Sequence, residues 1–587
     1  MNWDLTKLFA SNEEAIKHAQ THVEELEKLI QDFEDTNENE KIIYTLKNIE
    51  NKVDEFSKAV QYAWMKYSTN TDEIESQKLL GVIQDLSTKV EEIMARMELR
   101  IAQLNDNEIN QLKASAENYR HFIEIIENKK KHLLSKDAER VLALMSVSRR
   151  EAISKIHSRL ESSYVFEIEI DGEKKKLTTE GMKSLRRSPN SKLRKHAMEM
   201  LLKRFSDDSI VLTEVYNLIV KDYDTESKLR NFKRPISMMN IENEVEDEIV
   251  DNLISTTNTN VSILQNYYKW KSEILGERLT LADLYAPIKS KVKKFTFDET
   301  KDIILKAYYS FDESVGKIVE SFFDEERIDL YPKQGKVAGA YCIYTTTKLP
   351  AYVLTNFNGD MYDVMTLAHE LGHGLHGTLS KKQTYFNFGT PLTLAELASV
   401  FGEFLVFDYL KENLNEEEKI SLMASKIEDT FATTFRQNMF TNFEIKAHDL
   451  ISSSGFADWN ELNEIYHQVL IDTFKDTVDI PEWYKYEWAM VSHFFETPFY
   501  VYAYNFAHCL VISLYQKCLE NGKSFAKKYV SLLESGGSLS PKELLSKVGI
   551  DISKPDFWEN SFKLVNNLVE QLYETKRKVI DKDSNID

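Results

Sequence analysis

The residues with the most specific chemistry lie in residues 365–377, which read MTLAHELGHGLHG. This stretch contains His369, Glu370 and His373 in the pattern H-E-x-x-H, a rare coincidence in a chain with 13 histidines among 587 residues. On a helix, residues four apart lie one turn apart on the same face, so the two imidazoles can bind one small cation together. Glu370 can point into the same site without being a ligand and act as general base toward a water activated by the metal. The motif therefore predicts a hydrolytic centre built on one helix.

A catalytic zinc site of this type needs a third protein ligand and an open position for water. His376 lies three residues after His373 on the same helical face, but three ligands on consecutive turns of one helix would crowd one side of the ion. The longer motif with a third histidine requires glycine at position 376 and histidine at position 379, and this chain has His376 and Leu379 there. Glu396, in the sequence PLTLAELASVFGEF, is the favoured candidate, and we expect it on a second helix after a turn at residues 389–391. His376 is then expected to contact a ligand or to line the pocket.

Glu403 follows Glu396 by seven residues, which places both carboxylates on one face of the predicted second helix. A carboxylate in that position can accept a hydrogen bond from an imidazole that binds the metal. We therefore expect Glu403 to orient one of the ligands, with an exposed surface acid as the alternative.

A resemblance to a known family extends over much of the chain. The segments HELGHGLHG and AELASVFGEF resemble the oligoendopeptidase F branch of the thimet-oligopeptidase-like zinc metallopeptidase family, as do GAYCIYTTTKLPAYVLTNFNGDMYDVMTLAHELGH and HFFETPFYVYAYNFA. The similarity reaches from about residue 110 to the C-terminus. It implies one Zn²⁺ per chain, held by His369, His373 and Glu396, with Glu370 as the catalytic base. It also implies a mainly α fold with a zincin-like catalytic core, in which two helical halves surround a deep channel.

Residues 493–504, called here the tyrosine segment, contain His493, Tyr500, Tyr502 and Tyr504. Core packing is the ordinary explanation of such an aromatic run. The related peptidases use a histidine and a tyrosine from a segment of this kind as donors to the developing oxyanion of the tetrahedral intermediate. The resemblance therefore implies His493 with Tyr500 or Tyr502 as catalytic residues, and we expect Tyr504 to bind substrate. The tyrosine spacing departs from that of the thimet branch, so the choice among these tyrosines stays open.

Residues 330–357 contain glycines and β-branched residues and predict a small sheet directly before the metal helix. Its last strand, residues 351–355, is expected to lie at the edge of the sheet. The backbone of Ala351, Tyr352 and Val353 would then pair with an extended peptide substrate. An edge covered by a loop is the alternative.

The remaining sequence is typical of a mostly helical chain, since glycine (18) and proline (10) are scarce. Three long helical patterns occupy residues 13–104, with breaks near residues 35–39 and 68–72, and their near-heptad apolar spacing predicts helices packed against one another. These helices form either a layer on the enzyme body, which we favour, or a coiled-coil interaction module. Residues 165–170 alternate as a strand and precede Asp171 and Gly172, which predict a β-hairpin.

Length and resemblance together predict three segments. An N-terminal helical layer is expected at residues 1–106, an oligoendopeptidase N-terminal-like helical region with the hairpin at residues 107–200, and the zinc metallopeptidase catalytic domain at residues 201–587.

The composition limits the possible partners. A net charge of −21 disfavours nucleic acid, which requires a basic surface. Three cysteines are too few for a disulfide framework, and we identify neither a secretory signal nor an apolar run of bilayer length. We expect a cytoplasmic protein without membrane partners, either a monomer or a small homo-oligomer.

The function predicted from these residues is zinc-dependent endopeptidase hydrolysis of short oligopeptides. A first alternative is an exopeptidase that releases terminal dipeptides. A second is a helical scaffold with a structural zinc, which Glu370 argues against because a structural site needs no base. Mn²⁺ or Co²⁺ can replace Zn²⁺ in a site with two histidines and one glutamate.

Overall fold

The computed structural model describes residues 3–36, 38–288 and 293–584, and the fold is mainly α as predicted. The first helices are α1 (Asn12–Asp35), α2 (Asn39–Thr69), α3 (Ile74–Ala102), α4 (Asp106–Ser115), α5 (Arg120–Lys130), α6 (Lys136–Ser146), α7 (Ala152–Ser162), α8 (Thr179–Ser184), α9 (Ser191–Asp207), α10 (Ser209–Leu229), α11 (Ile236–Glu242), α12 (Asp247–Thr259) and α13 (Ser262–Leu275). They are followed by α14 (Phe297–Phe311), α15 (Glu313–Asp324), α16 (Met361–Leu379), α17 (Leu392–Ala395), α18 (Ser399–Asn413), α19 (Glu416–Thr433), α20 (Phe435–Ser454), α21 (Trp459–Phe474), α22 (Ser492–Glu496), α23 (Tyr502–Asn521), α24 (Lys523–Glu534), α25 (Pro541–Ser546) and α26 (Pro555–Ser584). The strands are β1 (Phe166–Ile170), β2 (Glu173–Leu177), β3 (Ile328–Asp329), β4 (Tyr341–Ile343) and β5 (Tyr352–Leu354).

The chain forms two compact units, each made of three separate stretches of sequence. The first unit comprises Met1–Lys131, Lys293–Asn413 and Leu514–Asp551. The second unit comprises His132–Val292, Leu414–Ser513 and Ile552–Asp587. The three-segment division and the deep channel stay predictions. Within the described residues, no helix combines the length and the apolar character that crossing a bilayer requires.

The N-terminal helices α1, α2 and α3 pack against one another in the first unit, as the apolar spacing predicts. Helix α1 ends at Asp35 and α2 begins at Asn39, while α2 ends at Thr69 and α3 begins at Ile74, close to the predicted positions. Helix α2 also holds the chain that follows β4. Asp54 accepts hydrogen bonds from the Thr346 hydroxyl at 2.6 Å and from the Thr347 N–H at 2.8 Å. The Thr346 hydroxyl also donates to the Asp54 carbonyl at 3.0 Å, so side chain and backbone of Asp54 together hold the exit of β4.

The small sheet lies directly before α16, as predicted, but its strand order is β3–β5–β4. Strand β5 pairs in parallel with β3 on one side and antiparallel with β4 on the other. The prediction that residues 351–355 form an edge strand is therefore wrong. Tyr352 and Val353 lie in the middle strand, Ala351 directly precedes it, and all three residues are buried. Strand β4 is instead an edge of this sheet.

Helix α16 contains the H-E-x-x-H motif and begins with reciprocal caps. The Asp360 side chain accepts the Asp363 N–H, and the Asp363 side chain accepts the Asp360 N–H, which satisfies donors at the helix start. Its apolar positions are buried, namely Val364, Leu367, Ala368, Leu371 and Leu375. The burial of this face fixes the rotation of α16 and therefore the direction of the motif side chains.

The second unit contains the predicted hairpin. Strands β1 and β2 pair antiparallel around Asp171 (φ +54°) and Gly172 (φ +83°), which gives the left-handed turn expected of a two-residue hairpin loop. Elsewhere in this unit, helix α20 packs on α10, α12, α19 and α21. This packing buries the side chains that α20 directs toward the tyrosine segment.

Candidate metal centre and peptidase site

Three side chains of the first unit bring ligand atoms together in a small triangle, called here the ligand triangle. Its corners are His369 Nε2, His373 Nε2 and Glu396 Oε2. The two nitrogens lie 3.2 Å apart, and the carboxylate oxygen lies 3.4 Å from His369 Nε2 and 3.5 Å from His373 Nε2. The structure thus unites the three residues that the sequence analysis names as ligands.

The size of the ligand triangle matches the edge of a zinc coordination tetrahedron. Ligand atoms at about 2.0–2.1 Å from a tetrahedral ion lie about 3.3 Å from one another. The three observed separations, 3.2, 3.4 and 3.5 Å, agree with that value. Two neutral imidazoles and one carboxylate are also a donor set that zinc prefers and that leaves a fourth position open. The residues present therefore fit a zinc ion.

Glu396 reaches the triangle from a break between two helices. It is the residue after α17, and α18 begins only at Ser399, so the prediction of one continuous helix through Glu396 is wrong. The Ser399 hydroxyl donates to Glu396 Oε2 at 2.5 Å and to the Glu396 carbonyl at 3.2 Å. Serine side chains that bond nearby backbone and side-chain oxygens compete with helical hydrogen bonds. This local bonding interrupts the helix and holds the Glu396 carboxylate toward the two histidines.

Glu403 orients the first imidazole. Its Oε1 atom lies 2.6 Å from His369 Nδ1, which leaves Nε2 of that ring for the triangle. The His373 ring likewise bonds the backbone of Ala395. Hydrogen bonds of this kind fix the tautomer and the direction of an imidazole that binds metal.

A backbone-to-backbone contact sets the distance between the two elements that supply the ligands. A Cβ atom added at Gly372 would lie 2.4 Å from the Ala398 carbonyl oxygen and 2.6 Å from Ser399 Cα. Only glycine permits this approach. One turn earlier on the same face of α16, the Tyr308 hydroxyl donates to the Ala368 carbonyl at 2.9 Å. The two glycines beside the histidines suggest such an approach from the sequence, but the partner atoms do not follow from it.

The charges of the site shift its titrations. Burial raises the pKa of Glu370 to about 7, assisted by the charges of Glu396 and Glu403 and opposed by His369. Burial lowers the pKa of His369, but the hydrogen bond and charge of Glu403 and the charges of the other two glutamates outweigh it and raise that pKa to about 9. Burial lowers the pKa of His373, and the charge of His369 acts in the same direction.

His376 does not join the ligand triangle. It is buried with 3% of its surface exposed, and its Nδ1 atom has no hydrogen-bond partner among the described residues. Burial lowers its pKa to about 3, so the ring is neutral. The structure therefore places this histidine of α16 in the buried interior of the protein.

A cavity of about 420 Å³ opens beside the motif within the first unit. Its lining combines Glu370 and His373 with Ala395 and with residues 340–345, which include the whole of edge strand β4. Glu370 is 7% exposed and also receives a backbone hydrogen bond from Cys342 of β4. The candidate base, a candidate ligand and an edge strand therefore share one cavity.

The tyrosine segment lies in the second unit, where two of its tyrosines contact His493. The rings of His493 and Tyr500 are nearly parallel, with centroids 5.3 Å apart and an interplanar angle of 9°. The Tyr504 hydroxyl lies 3.3 Å from His493 Nε2. All three side chains are half-buried. Tyr502 is 1% exposed, and its hydroxyl accepts a hydrogen bond from Asn243 at 2.9 Å, so the geometry favours Tyr500 and Tyr504 over Tyr502 as partners of His493.

Comparisons with known proteins agree with these features. The profile of peptidase family M3 matches residues 184–564, and a profile described as Oligopeptidase F matches residues 100–166. The chain belongs to peptidase family M3. The chain is therefore a metalloendopeptidase, and the predictions of the family and of endopeptidase action are confirmed.

Individual relatives of this peptidase span nearly its whole length. An oligoendopeptidase F homolog of Borreliella burgdorferi is 29% identical over 97% of each chain, and oligopeptidase PepF of Bacillus subtilis is 25% identical over 98% of this chain and 87% of its own. Among solved structures, a putative peptidase of Chlamydophila abortus has a TM-score of 0.88 and 24% identity, covering 98% of both chains. The oligoendopeptidase-F structure of Enterococcus faecium has a TM-score of 0.71 and 20% identity, covering 96% of this chain and 99% of its own. These structures share the fold of the M3 peptidase.

Two other groups of histidines and acids in the peptidase approach metal-binding spacing, namely His18 with His22 and Glu55, and His121 with Glu124 and Glu543. In the first group Lys58 already pairs with Glu55, and His18 Nε2 bonds the Glu55 carbonyl at 2.8 Å. A nearby ammonium opposes cation binding. Among the residues that the structure describes, no lysine or arginine pairs with His369, His373 or Glu396.

The sequence analysis missed three contributors to the site. They are Ser399, which holds Glu396, Tyr308, which holds α16, and the backbone of β4, which lines the cavity. The sequence offers a signal for Ser399, because its hydroxyl follows the proposed ligand Glu396 by three residues. The other two depend on strand order and helix packing, which the sequence does not reveal.

Proposed function

We propose that this M3 peptidase is a zinc-dependent endopeptidase that hydrolyses short oligopeptides. The observation that supports this most strongly is the ligand triangle, whose three separations match those of a tetrahedral zinc site. The names of its relatives, which are described as oligoendopeptidases and oligopeptidases, support the substrate class.

In this proposal His369, His373 and Glu396 hold one Zn²⁺ per chain, and Glu403 keeps the His369 ring in position. When bound, zinc supplies Lewis acidity that activates a water and polarises the scissile carbonyl. Glu370 takes the proton of the attacking water and then delivers it to the leaving amine. Its location in the cavity beside the triangle suits this role, because a general base must come within hydrogen-bond reach of the proton it removes.

The substrate is proposed to bind as an extended chain along β4. The N–H and C=O groups on the free edge of a strand can pair with a peptide independently of its side chains. Strand β4 lines the same cavity as Glu370, whereas the strand named by the sequence analysis is enclosed between two neighbours. Such backbone pairing favours short, unfolded peptides over folded proteins.

His493, with Tyr500 or Tyr504, is proposed to donate hydrogen bonds to the developing oxyanion. The contacts among these three side chains support their acting as one group. Removing one such donor typically lowers kcat by about 10²–10³-fold.

The test of the proposal is Glu370→Gln, which preserves the shape of the side chain and removes the base. We expect one zinc per chain by elemental analysis and a fall in kcat of at least about 10³-fold on an internally quenched peptide with blocked ends. Glu412→Gln, an exposed glutamate of the same unit, is the matched control and should retain full activity. If Glu370→Gln keeps more than a tenth of the wild-type kcat, Glu370 is not the base.

A further inference from the structure

We propose that Glu444, in the second unit, is a positioning residue that holds the backbone at Phe499 in the left-handed conformation and thereby places Tyr500 against His493. The catalytic consequence rests on the proposed function of the tyrosine segment. The placement itself rests on contacts within the second unit alone.

The backbone at Phe499 has a conformation that a bulky residue rarely adopts. Its φ angle is +62°, a region favoured by glycine. Such strain persists only where surrounding contacts impose it, and it concentrates at functional sites. Phe499 is the third residue of the turn that runs from Thr497 to Tyr500, so the strained residue directly precedes the tyrosine.

A contact from α20 holds this conformation in place. The Phe499 N–H donates to Glu444 Oε1 at 2.7 Å, and both residues are almost fully buried. One helical turn later on α20, the His448 ring lies 4.4 Å from the Phe499 ring, and the Tyr223 ring lies 5.8 Å from it on the side of α10. The phenyl ring is thus fixed between two helices while the carboxyl fixes its N–H.

The fixed backbone determines where Tyr500 lies. The Tyr500 N–H closes the turn around Phe499 by donating to the Thr497 carbonyl at 3.1 Å, and the next turn follows with the Ala503 N–H bonded to the Tyr500 carbonyl at 3.1 Å. A change of φ at Phe499 rotates the following peptide, so it would move the Tyr500 ring away from its stacked position on His493. The orientation of His493 toward the Tyr504 hydroxyl would change with it.

Packing alone does not explain a glutamate at this place. Glu444 is 0% exposed, and its Oε2 atom has no hydrogen-bond partner among the described residues, as is also true of the Tyr216 hydroxyl. Burying a polar group without its full set of partners is unfavourable, so an apolar side chain would serve better if filling space were the only requirement. The one strong bond that Glu444 makes is the bond to Phe499.

The neutral form of Glu444 is sufficient for this bond. Burial raises the pKa of Glu444 to about 8, while the hydrogen bond from Phe499 acts in the opposite direction. At neutral pH the group is therefore mostly protonated and accepts the Phe499 N–H through its carbonyl oxygen. The amide of glutamine offers the same acceptor, whereas methionine has similar length without an oxygen.

The test compares Glu444→Met with Glu444→Gln in the full-length, zinc-loaded enzyme, with 3-fluorotyrosine incorporated at position 500. In Glu444→Met we expect a changed ¹⁹F chemical shift and a kcat about 10- to 100-fold lower, with KM within about threefold of wild type. In Glu444→Gln both the shift and kcat should stay close to wild type. Glu464→Met, an exposed glutamate on α21, is the control for the substitution itself.

An unchanged ¹⁹F shift in Glu444→Met would overturn the proposal. A changed shift with unchanged kcat, together with full activity of His493→Ala, would retain the positioning role of Glu444 and refute the catalytic role of the tyrosine segment. If Glu444→Met does not fold, Glu444→Asp withdraws the acceptor by one methylene, and the same two measurements decide the outcome.

Discussion

Gly372→Ala is expected to weaken zinc binding although it alters no ligand. A Cβ atom at this position would lie 2.4 Å from the Ala398 carbonyl oxygen and 2.6 Å from Ser399 Cα. The Ala398 carbonyl accepts the Gly402 N–H at 2.9 Å and cannot rotate away without breaking α18. Because both obstacles are backbone atoms, α16 and the start of α18 must separate.

The size of the effect follows from these distances. Ordinary contact between non-bonded carbons is about 3.5–4.0 Å, so the backbones must separate by about 1 Å. Overpacking of this kind costs about 1–3 kcal/mol, and the better helix propensity of alanine returns about 1 kcal/mol. Glu396 lies two residues before Ala398, and metal–ligand distances tolerate about 0.2 Å of change. We therefore expect zinc affinity to fall at least about tenfold, which is about 1.4 kcal/mol.

Competition with a chromogenic chelator measures the zinc affinity, and urea unfolding measures the stability. Gly81→Ala is the matched control, because Gly81 lies in α3 with no atom within 4 Å of the added Cβ. It should raise the free energy of unfolding by about 0.5–1 kcal/mol and leave zinc affinity unchanged. Zinc affinity of Gly372→Ala within twofold of wild type would refute the claim that this backbone contact sets the position of Glu396.

Three further predictions follow from named contacts. Glu403→Gln weakens the bond to His369 and should lower zinc affinity about 10- to 100-fold in the chelator assay, and an unchanged affinity would contradict the orienting role. Burial raises the pKa of Glu444 in the folded chain to about 8 from its ordinary value of 4.5, so between these two pH values the group stays protonated in the folded chain and ionises in the unfolded one. Its contribution to the free energy of unfolding therefore falls as pH rises through this range, by about 1.4 kcal/mol per pH unit. Glu444→Gln should remove this decline from the pH series of urea unfolding, and equal slopes for the two proteins would disprove the raised pKa. Asp54→Ala leaves the N–H and the hydroxyl of Thr347 without their acceptor and should destabilise the enzyme by about 1–3 kcal/mol in the same assay. A loss below about 0.5 kcal/mol would show that these bonds do not hold the loop.

The sequence was sufficient for features that depend on local spacing. The His369–His373 pair is separated by one helical turn, and the hairpin turn at Asp171 and Gly172 requires only two residues with positive φ, so neither depends on distant parts of the chain. The breaks between α1, α2 and α3 follow from the loss of apolar periodicity. The choice of Glu396 over His376 follows from the crowding that three ligands on one helix would cause, and the family resemblance agrees with it.

The errors concern contacts between distant segments. The strand order depends on β3, which pairs with the outer side of β5. Because β3 has only two residues, it gives no pattern in the sequence, and β5 is therefore wrongly expected at an edge. The helix break at Glu396 depends on the approach of Gly372 and on the bonds of Ser399, neither of which periodicity records. The choice among Tyr500, Tyr502 and Tyr504 depends on the φ angle of Phe499, and no residue type at that position indicates a positive value.

Diffraction from crystals of the zinc-loaded enzyme, recorded above and below the zinc absorption edge, tests the central claim most directly. The account predicts one strong anomalous peak per chain, at about 2.0–2.2 Å from His369 Nε2, His373 Nε2 and a carboxylate oxygen of Glu396. A peak ligated by His376 in place of Glu396, or no peak among these three side chains in an active enzyme, would contradict it.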